Sequence, residues 1–462
     1  MNYPSEEEDN IIQNDIVLST AAVENSTRES NPGRRQTAGT GSLGTIFLMV
    51  NATLGAGLLN FPEAFDKSGG VATAIIAQLF FLVFITATLV ILANCGDVTN
   101  TTTMQGAFAG LCGPNSLFFC GICVAIYSFG CCITFLIVIG DQFDRVFATL
   151  YGLDYCHTWY LARPFITCLS SALFILPLSF FKRLDALNYA SSIGCVTILY
   201  VVWLIVYESF ENYKLPAKPM HIWPEEPLQV LQIVPIICFA YQSHMTAIPT
   251  YACMKDRQIG KFTLCATISM IVCFFAYSIV GYFGYATFGI GKVPSDILQG
   301  YTDKSTTLTI AIVAIAVKNF TTYPIVLYCG RDAILSLFGR DVDCKFSIRF
   351  TITIIWYALS LVIAILVPDI GPVINIMGSL SAAFIFVFPG ICLLQSTLYK
   401  DPLLHLNKDR FLVFVAIFIT ALGAFVCGVV FVEALQDLQT MSLDQPAKVT
   451  GFKAELGSSL CQ

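Results

Sequence analysis

The chain runs to 462 residues, 56% hydrophobic and only 12% charged, with a formal net charge of −6. Soluble domains carry roughly 25% charged residues, so an ordinary soluble protein is excluded. Nothing in a net-negative chain points to a nucleic-acid partner, and a mean hydropathy of +0.72 makes the lipid bilayer the expected solvent.

Residues 1–40 are polar, rich in Ser, Thr, Asn and Glu, and hold too little apolar surface to fold alone. They are expected to form a disordered cytosolic tail. The tail lacks the basic start and apolar core of a cleavable signal, so the first span is expected to direct insertion. Within it, "EEEDNII" sets Glu7 four residues before Ile11 and Ile12. That is an acidic dileucine-type pattern, a short sorting address of the kind adaptor proteins read.

Windows of about 20 apolar residues then give about eleven spans. They lie at 43–65, 70–95, 116–140, 164–181, 186–208, 228–252, 260–285, 306–328, 347–367, 371–395 and 411–433. The expected fold is therefore an all-α polytopic membrane protein over residues 41–435, followed by a tail at 436–462.

The first span is the least anchor-like. "VNATLGAGLLNFPEAF", residues 50–65, interrupts an apolar run with Asn51, Gly55 and Gly57 and carries Pro62 near its end. Such a break survives in lipid where it faces protein or a watery cavity. The competing reading is a kinked helix packed through its small residues. In the third span, "CGICVAIYSFGCC" accounts for part of a cysteine count of 18, and intramembrane Cys behaves as a small packing residue. Cys156 and Cys461 are the lumenal candidates for a disulfide.

The sixth span, "PIICFAYQSHMTAIPTY" at 235–251, repeats the interruption five spans later. Paired breaks at matching positions of two halves point to an inverted-repeat transporter with its site at mid-membrane. Repeat one would be 43–208, repeat two 228–395, and 411–433 an extra helix. N–H groups freed at Gly55, Ala56 and Gly57 suit a carboxylate. Oxygens near Asn51 and along Phe239–Tyr241 suit an ammonium group or a cation. His244 is a polar-substrate contact, a proton site or a satisfied core histidine.

The eighth span, "VAIAVKNFTTYPIVLYCGR" at 313–331, joins Thr321 and Thr322 to Pro324, and hydroxyl and carbonyl oxygens suit a hard cation. Back-bonding to their own helix is the bland alternative. Lys318 lies three and four residues earlier, on the same face. It either faces a cavity as a charge modulator, competing with or replacing a cation, or snorkels to an interface.

Lys and Arg concentrate in the loops that share a side with the N-terminus, which places that end in the cytosol and the C-terminus in the lumen or outside. The sequons at Asn25, Asn51, Asn100 and Asn319 then fall in cytosolic segments or inside spans. No HExxH, CxxC pair with zinc spacing or Ser/His/Asp grouping occurs, so an enzyme is not expected.

Taken together, "LGTIFLMVNATLGAGLLNFPEAF", "PIICFAYQSH", "TTYPIVLYCGR" and "VPDIGPVINIMGSLSAAFIFVFPG" resemble the sodium-coupled neutral amino acid transporters of the amino acid/auxin permease group. The resemblance runs from about residue 40 to 435. It implies a LeuT-like fold with broken helices one and six. It also implies substrate binding at the segment matching Gly55–Gly57, and sodium at Asn51 with Thr321 or Thr322. The branch it favours implies glutamine and asparagine as substrates and the lysosomal membrane as location, with the plasma membrane as alternative. The expected activity is cation-coupled symport of a neutral amino acid by alternating access, with sodium favoured over a proton as coupling ion and no other cofactor. The rival from another class is an amino acid sensor that signals through the N-terminal tail.

Overall fold

The computed structural model describes residues 40–151, 158–180, 188–211, 219–301, 305–338, 346–367, 370–400 and 406–443. The tail pattern at Glu7, Ile11 and Ile12, the sequon at Asn25, and the residues Cys156 and Cys461 lie outside the described residues; of the expected C-terminal tail, 436–443 continue the last helix and 444–462 lie outside the described residues.

Among the described residues the chain is helical. In order, the helices are α1 (Ser42–Thr53), α2 (Gly57–Lys67), α3 (Val71–Thr99), α4 (Met104–Cys112) and α5 (Pro114–Tyr151). They continue as α6 (Arg163–Ser179), α7 (Asn188–Glu211), α8 (Val234–Ala240), α9 (His244–Ala252) and α10 (Ile259–Phe288). The last are α11 (Ile297–Gly300), α12 (Thr306–Leu337), α13 (Phe346–Leu366), α14 (Ile370–Ala382), α15 (Phe388–Lys400) and α16 (Asn407–Leu443). Among the described residues nine stretches are long and apolar enough to cross a bilayer, and the bent pair α1–α2 makes up to ten. The expected fourth span, α6, is a shorter apolar helix of 17 residues. At 1.5 Å per residue it spans about 26 Å, a little under the roughly 30 Å hydrocarbon core.

The surface confirms the solvent. Phe414 on α16 and Val83 on α3 are 67% and 68% exposed, amid a belt of bare Leu, Ile and Phe. Lipid, not water, covers such a surface without cost.

Both expected breaks are present. The first is a 60° bend between α1 and α2, with Leu54 extended at φ −73°, ψ 91°. The second separates α8 from α9 across Tyr241–Ser243. The two meet at Gly57, where a Cβ would stand 2.8 Å from that of Ala240. Only glycine lets these backbones touch. At the end where the described chain begins, Thr40 N–H donates to Cys253 O at 2.9 Å and Lys255 N–H to Thr40 O at 3.0 Å. The start of α1 is thereby fastened to the end of α9. Around the breaks, α12 packs along α5 and against α7, while α10 packs against α2, α3 and α1.

The opposite end is covered by the connector between α10 and α12, which carries α11. Asn60 donates to Ser295 O at 2.9 Å, and Gly291 N–H to Asp66 at 2.8 Å. Gln142 Nε2 donates to Asp296 Oδ2 at 2.9 Å, while Leu298 N–H caps Oδ1 of the same carboxylate at 2.9 Å. This connector so joins α2 to α5. Around Asp296, α5 contributes Asp141, Asp144 and Arg145, and Arg163 at the start of α6 pairs with Asp141 at 2.9 Å.

Burial, with the nearby Asp141 charge, pushes the Asp296 carboxyl up to about 7. The folded chain therefore holds this proton more tightly than the unfolded chain. Stability falls as pH rises from about 4 to 7, by at most on the order of 4 kcal/mol, and levels off above that. In Asp296→Asn this slope should flatten, because the amide does not titrate, while Gln142 can turn its own amide to accept from it. Thermal midpoints of both proteins from pH 4.5 to 8 check it; parallel curves would refute it.

Candidate functional site

A cavity of about 240 Å³ lies where the two breaks face α5 and α12. Its lining includes Asn51, Gly55, Ala56 and Gly57 from the first break, and Phe239, Gln242 and Ser243 from the second. Tyr127, Cys131, Lys318 and Thr322 close its sides. It opens past Ala52, Met245 and Cys329, toward the end where Thr40 ties α1 to α9. The other end is shut by Phe61, stacked on Tyr277 at 4.3 Å, and by Tyr241 against the same ring at 4.9 Å. The opening therefore lies on the side of Ala52, Met245 and Cys329, away from these rings.

The backbone at the breaks supplies the polar chemistry. The first N–H bonds into α2 are Leu58 to Gly55 O and Leu59 to Ala56 O, both at 3.2 Å. The N–H groups of Gly55, Ala56 and Gly57 precede them, at a helix start that attracts anions. On the carbonyl side, the Tyr277 hydroxyl lies 2.8 Å from both Thr53 O and Ala240 O, sharing one proton between the two broken ends.

Lys318 supplies the remaining bond. It is 5% exposed, and its Nζ donates to Leu54 O, the carbonyl of the extended residue. Its own carbonyl accepts from Thr321 Oγ1 at 2.8 Å and Thr322 Oγ1 at 2.9 Å. The snorkelling reading is thereby excluded: the side chain turns into the break. Gly194 of α7 makes the room, since a Cβ there would collide with Asn51 Oδ1 and lie 3.7 Å from Lys318 Cε.

The sequence-derived site residues divide accordingly. Asn51, Gly55, Ala56, Gly57, Phe239, Thr322 and Lys318 come together around the cavity. Thr321 turns away into a separate apolar cavity beside Phe174 and Phe320. Adjacent positions on a helix stand about 100° apart, so one of the two threonines must face elsewhere. Tyr241 is fully buried and donates to Gln78 Oε1 at 3.2 Å, serving the closed end rather than the cavity. His244 is a core histidine: it is 0% exposed and pairs through Nε2 with Thr88 Oγ1 at 2.9 Å, outside the cavity lining.

Gln242 and Ser243 were not singled out from the sequence. Gln242 Nε2 and Ser243 Oγ are buried without a hydrogen-bond partner and line the cavity. The cue was their place between Tyr241 and His244, at the break itself. Tyr277 had no cue, standing in a uniformly apolar α10.

A sodium ion is a poor fit. Asn51 Oδ1, buried and without a partner, suits one. Leu54 O, however, is held by an ammonium group, and among the described residues no carboxylate pairs with it. An ion sharing that carbonyl would stand about 4 Å from Nζ. At that separation like charges repel by about 4 kcal/mol, or roughly a thousandfold in affinity.

Residues 38–436 match the sequence profile of a family described as transmembrane amino acid transporter protein. Sodium-coupled neutral amino acid transporter 7 of Danio rerio is 37% identical, over 84% of this chain and 86% of that protein. The Homo sapiens protein of the same name is 36% identical, over 87% and 89%. Solute carrier family 38 member 8 of Homo sapiens is 33% identical, over 76% and 84%. The crystal structure of MhsT in complex with L-phenylalanine superposes with a TM-score of 0.56 at 13% identity, covering 85% of this chain and 98% of that one. That likeness is one of fold.

Tyr277→Phe removes the proton shared by Thr53 O and Ala240 O. Leaving buried carbonyls unsatisfied costs about 1–3 kcal/mol, so the thermal midpoint in detergent should drop. An unchanged midpoint would show that the two broken ends do not depend on it.

Proposed function

The chain belongs to the family of transmembrane amino acid transporters that includes the sodium-coupled neutral amino acid transporters, and on that premise we propose that it carries small neutral amino acids, glutamine and asparagine foremost, by alternating access. As a member of that family it is a multi-pass membrane transport protein and not an enzyme. The observation that carries the substrate reading is the meeting of two helix breaks around one small cavity with unpaired polar groups at both.

The roles follow from the chemistry of each group. A substrate carboxylate sits at the start of α2, at Gly55, Ala56 and Gly57, and its ammonium faces the second break, where Phe239 lines the cavity. The unpaired Gln242 Nε2 and Ser243 Oγ receive a side-chain carboxamide. A cavity of about 240 Å³ falls below the roughly 300 Å³ at which drug-sized sites begin. One small zwitterion fills it.

With the N-terminus in the cytosol, as the Lys and Arg distribution supports, the open face of the cavity is cytosolic and the capped face lumenal. The location we propose is the lysosomal membrane, on the strength of the Glu7, Ile11 and Ile12 pattern and its adaptor-binding character. Net flow would then be export to the cytosol. Coupling to a cation belongs to the same reading. Sodium is the ion in the relatives' names; of the groups at the site Asn51 Oδ1 favours it and the Lys318 ammonium opposes it.

Purified protein in liposomes should take up labelled L-glutamine and L-alanine above protein-free vesicles; absence of both fluxes would remove the reading. Gln242→Leu should raise the KM for glutamine about tenfold, the value of roughly one hydrogen bond. Alanine, which has no carboxamide, should be little affected. Equal losses for both substrates would take Gln242 out of the side-chain pocket.

A further inference from the structure

Lys318 is out of place for a bland span residue. It is buried at mid-membrane, bonded to the one carbonyl that the first break leaves extended, and lines the cavity where the substrate reading places a carboxylate. A buried charge in lipid is retained where it does work. Both threonine hydroxyls back-bond to the carbonyl of residue 318 on their own helix, so their protons are spent there and the ammonium is the cation at the break. Gly194 keeps open the space in which Asn51 and the lysine stem meet.

We propose that Lys318 is the built-in cation of this site: its ammonium group takes the position and charge of a coupling ion, so that transport proceeds without sodium. The proposal rests on the amino acid transport reading and changes one part of it. A tethered ammonium of three N–H donors can hold Leu54 O and still face a substrate carboxylate. Being covalent, it never leaves, so a sodium gradient does no work on the substrate through this site. Asn51, which meets the lysine stem beside Gly194, keeps an unpartnered oxygen that an ion takes once the ammonium is gone.

The experiment is exchange of labelled for unlabelled L-glutamine across liposomes holding the full chain, in sodium chloride and in choline chloride at equal ionic strength. The wild type should exchange at rates within about twofold in the two salts. Lys318→Met should lose at least tenfold in choline and recover in sodium, because the ion gains Leu54 O and Asn51 Oδ1 once the ammonium is gone. Saturable binding of radioactive sodium should likewise be absent from the wild type and present in Lys318→Met.

Wild-type exchange that collapses in choline overturns the assignment, as does a folded Lys318→Met that exchanges equally in both salts or in neither. Should Lys318→Met fail to fold, the wild-type salt comparison and sodium binding decide alone. Absence of exchange in every salt, with alanine as well as glutamine, overturns the transport reading itself. Sodium-requiring exchange overturns only the role of Lys318.

Discussion

A peptide group taken out of a helix inside a bilayer must find another partner or cost several kcal/mol. The arrangement around residues 54–57 and 241–243 answers that constraint. Leu54 O is met by Lys318, and Thr53 O and Ala240 O share the Tyr277 proton. Gly55, Ala56 and Gly57 line the cavity at the start of α2. The donors left unmet at the second break, Gln242 Nε2 and Ser243 Oγ, are ones a substrate can satisfy. Binding and folding thus draw on one set of groups.

The rest of the bundle positions those groups. α5 and α12 form the wall against which the breaks stand, and α7 contributes Gly194 at the point of closest approach. α10 reaches both breaks through a single phenol. On the capped face, the connector carrying α11 spans from Asn60 and Asp66 to Gln142, joining the broken α2 to the unbroken α5. A rocking motion that opened this face would have to part that connector from one side or the other.

The fold was largely legible in the sequence because lipid imposes a coarse rule. Apolar runs of fixed length, broken twice at a spacing of five spans, admit few architectures. The site was legible where backbone chemistry marks it, at Asn51 and at Gly55–Gly57. It was less so where the outcome turns on which way a side chain points. Thr321 and Thr322 are equivalent as letters, yet one faces the cavity and the other an apolar pocket. His244 looked chemical in a broken span but is buried outside the cavity lining, its Nε2 paired with Thr88. Gln242 and Ser243 stood in the quoted stretch without signalling that the break would bare them. Lys318 was read both ways, and only the direction of its stem separates a snorkelling residue from a bond to Leu54. The short α4 and α11 and the π-helical turn at Ala383–Val387 left no apolar period to read.

The pairing of Thr40 with Cys253 and Lys255 has a mechanical meaning. Two strands of backbone stitched by hydrogen bonds cannot slide independently, so the leading end of α1 and the trailing end of α9 swing as a single leaf. The stitch lies at residue 40, two residues before α1 begins, so the coupling is made at the start of the broken span.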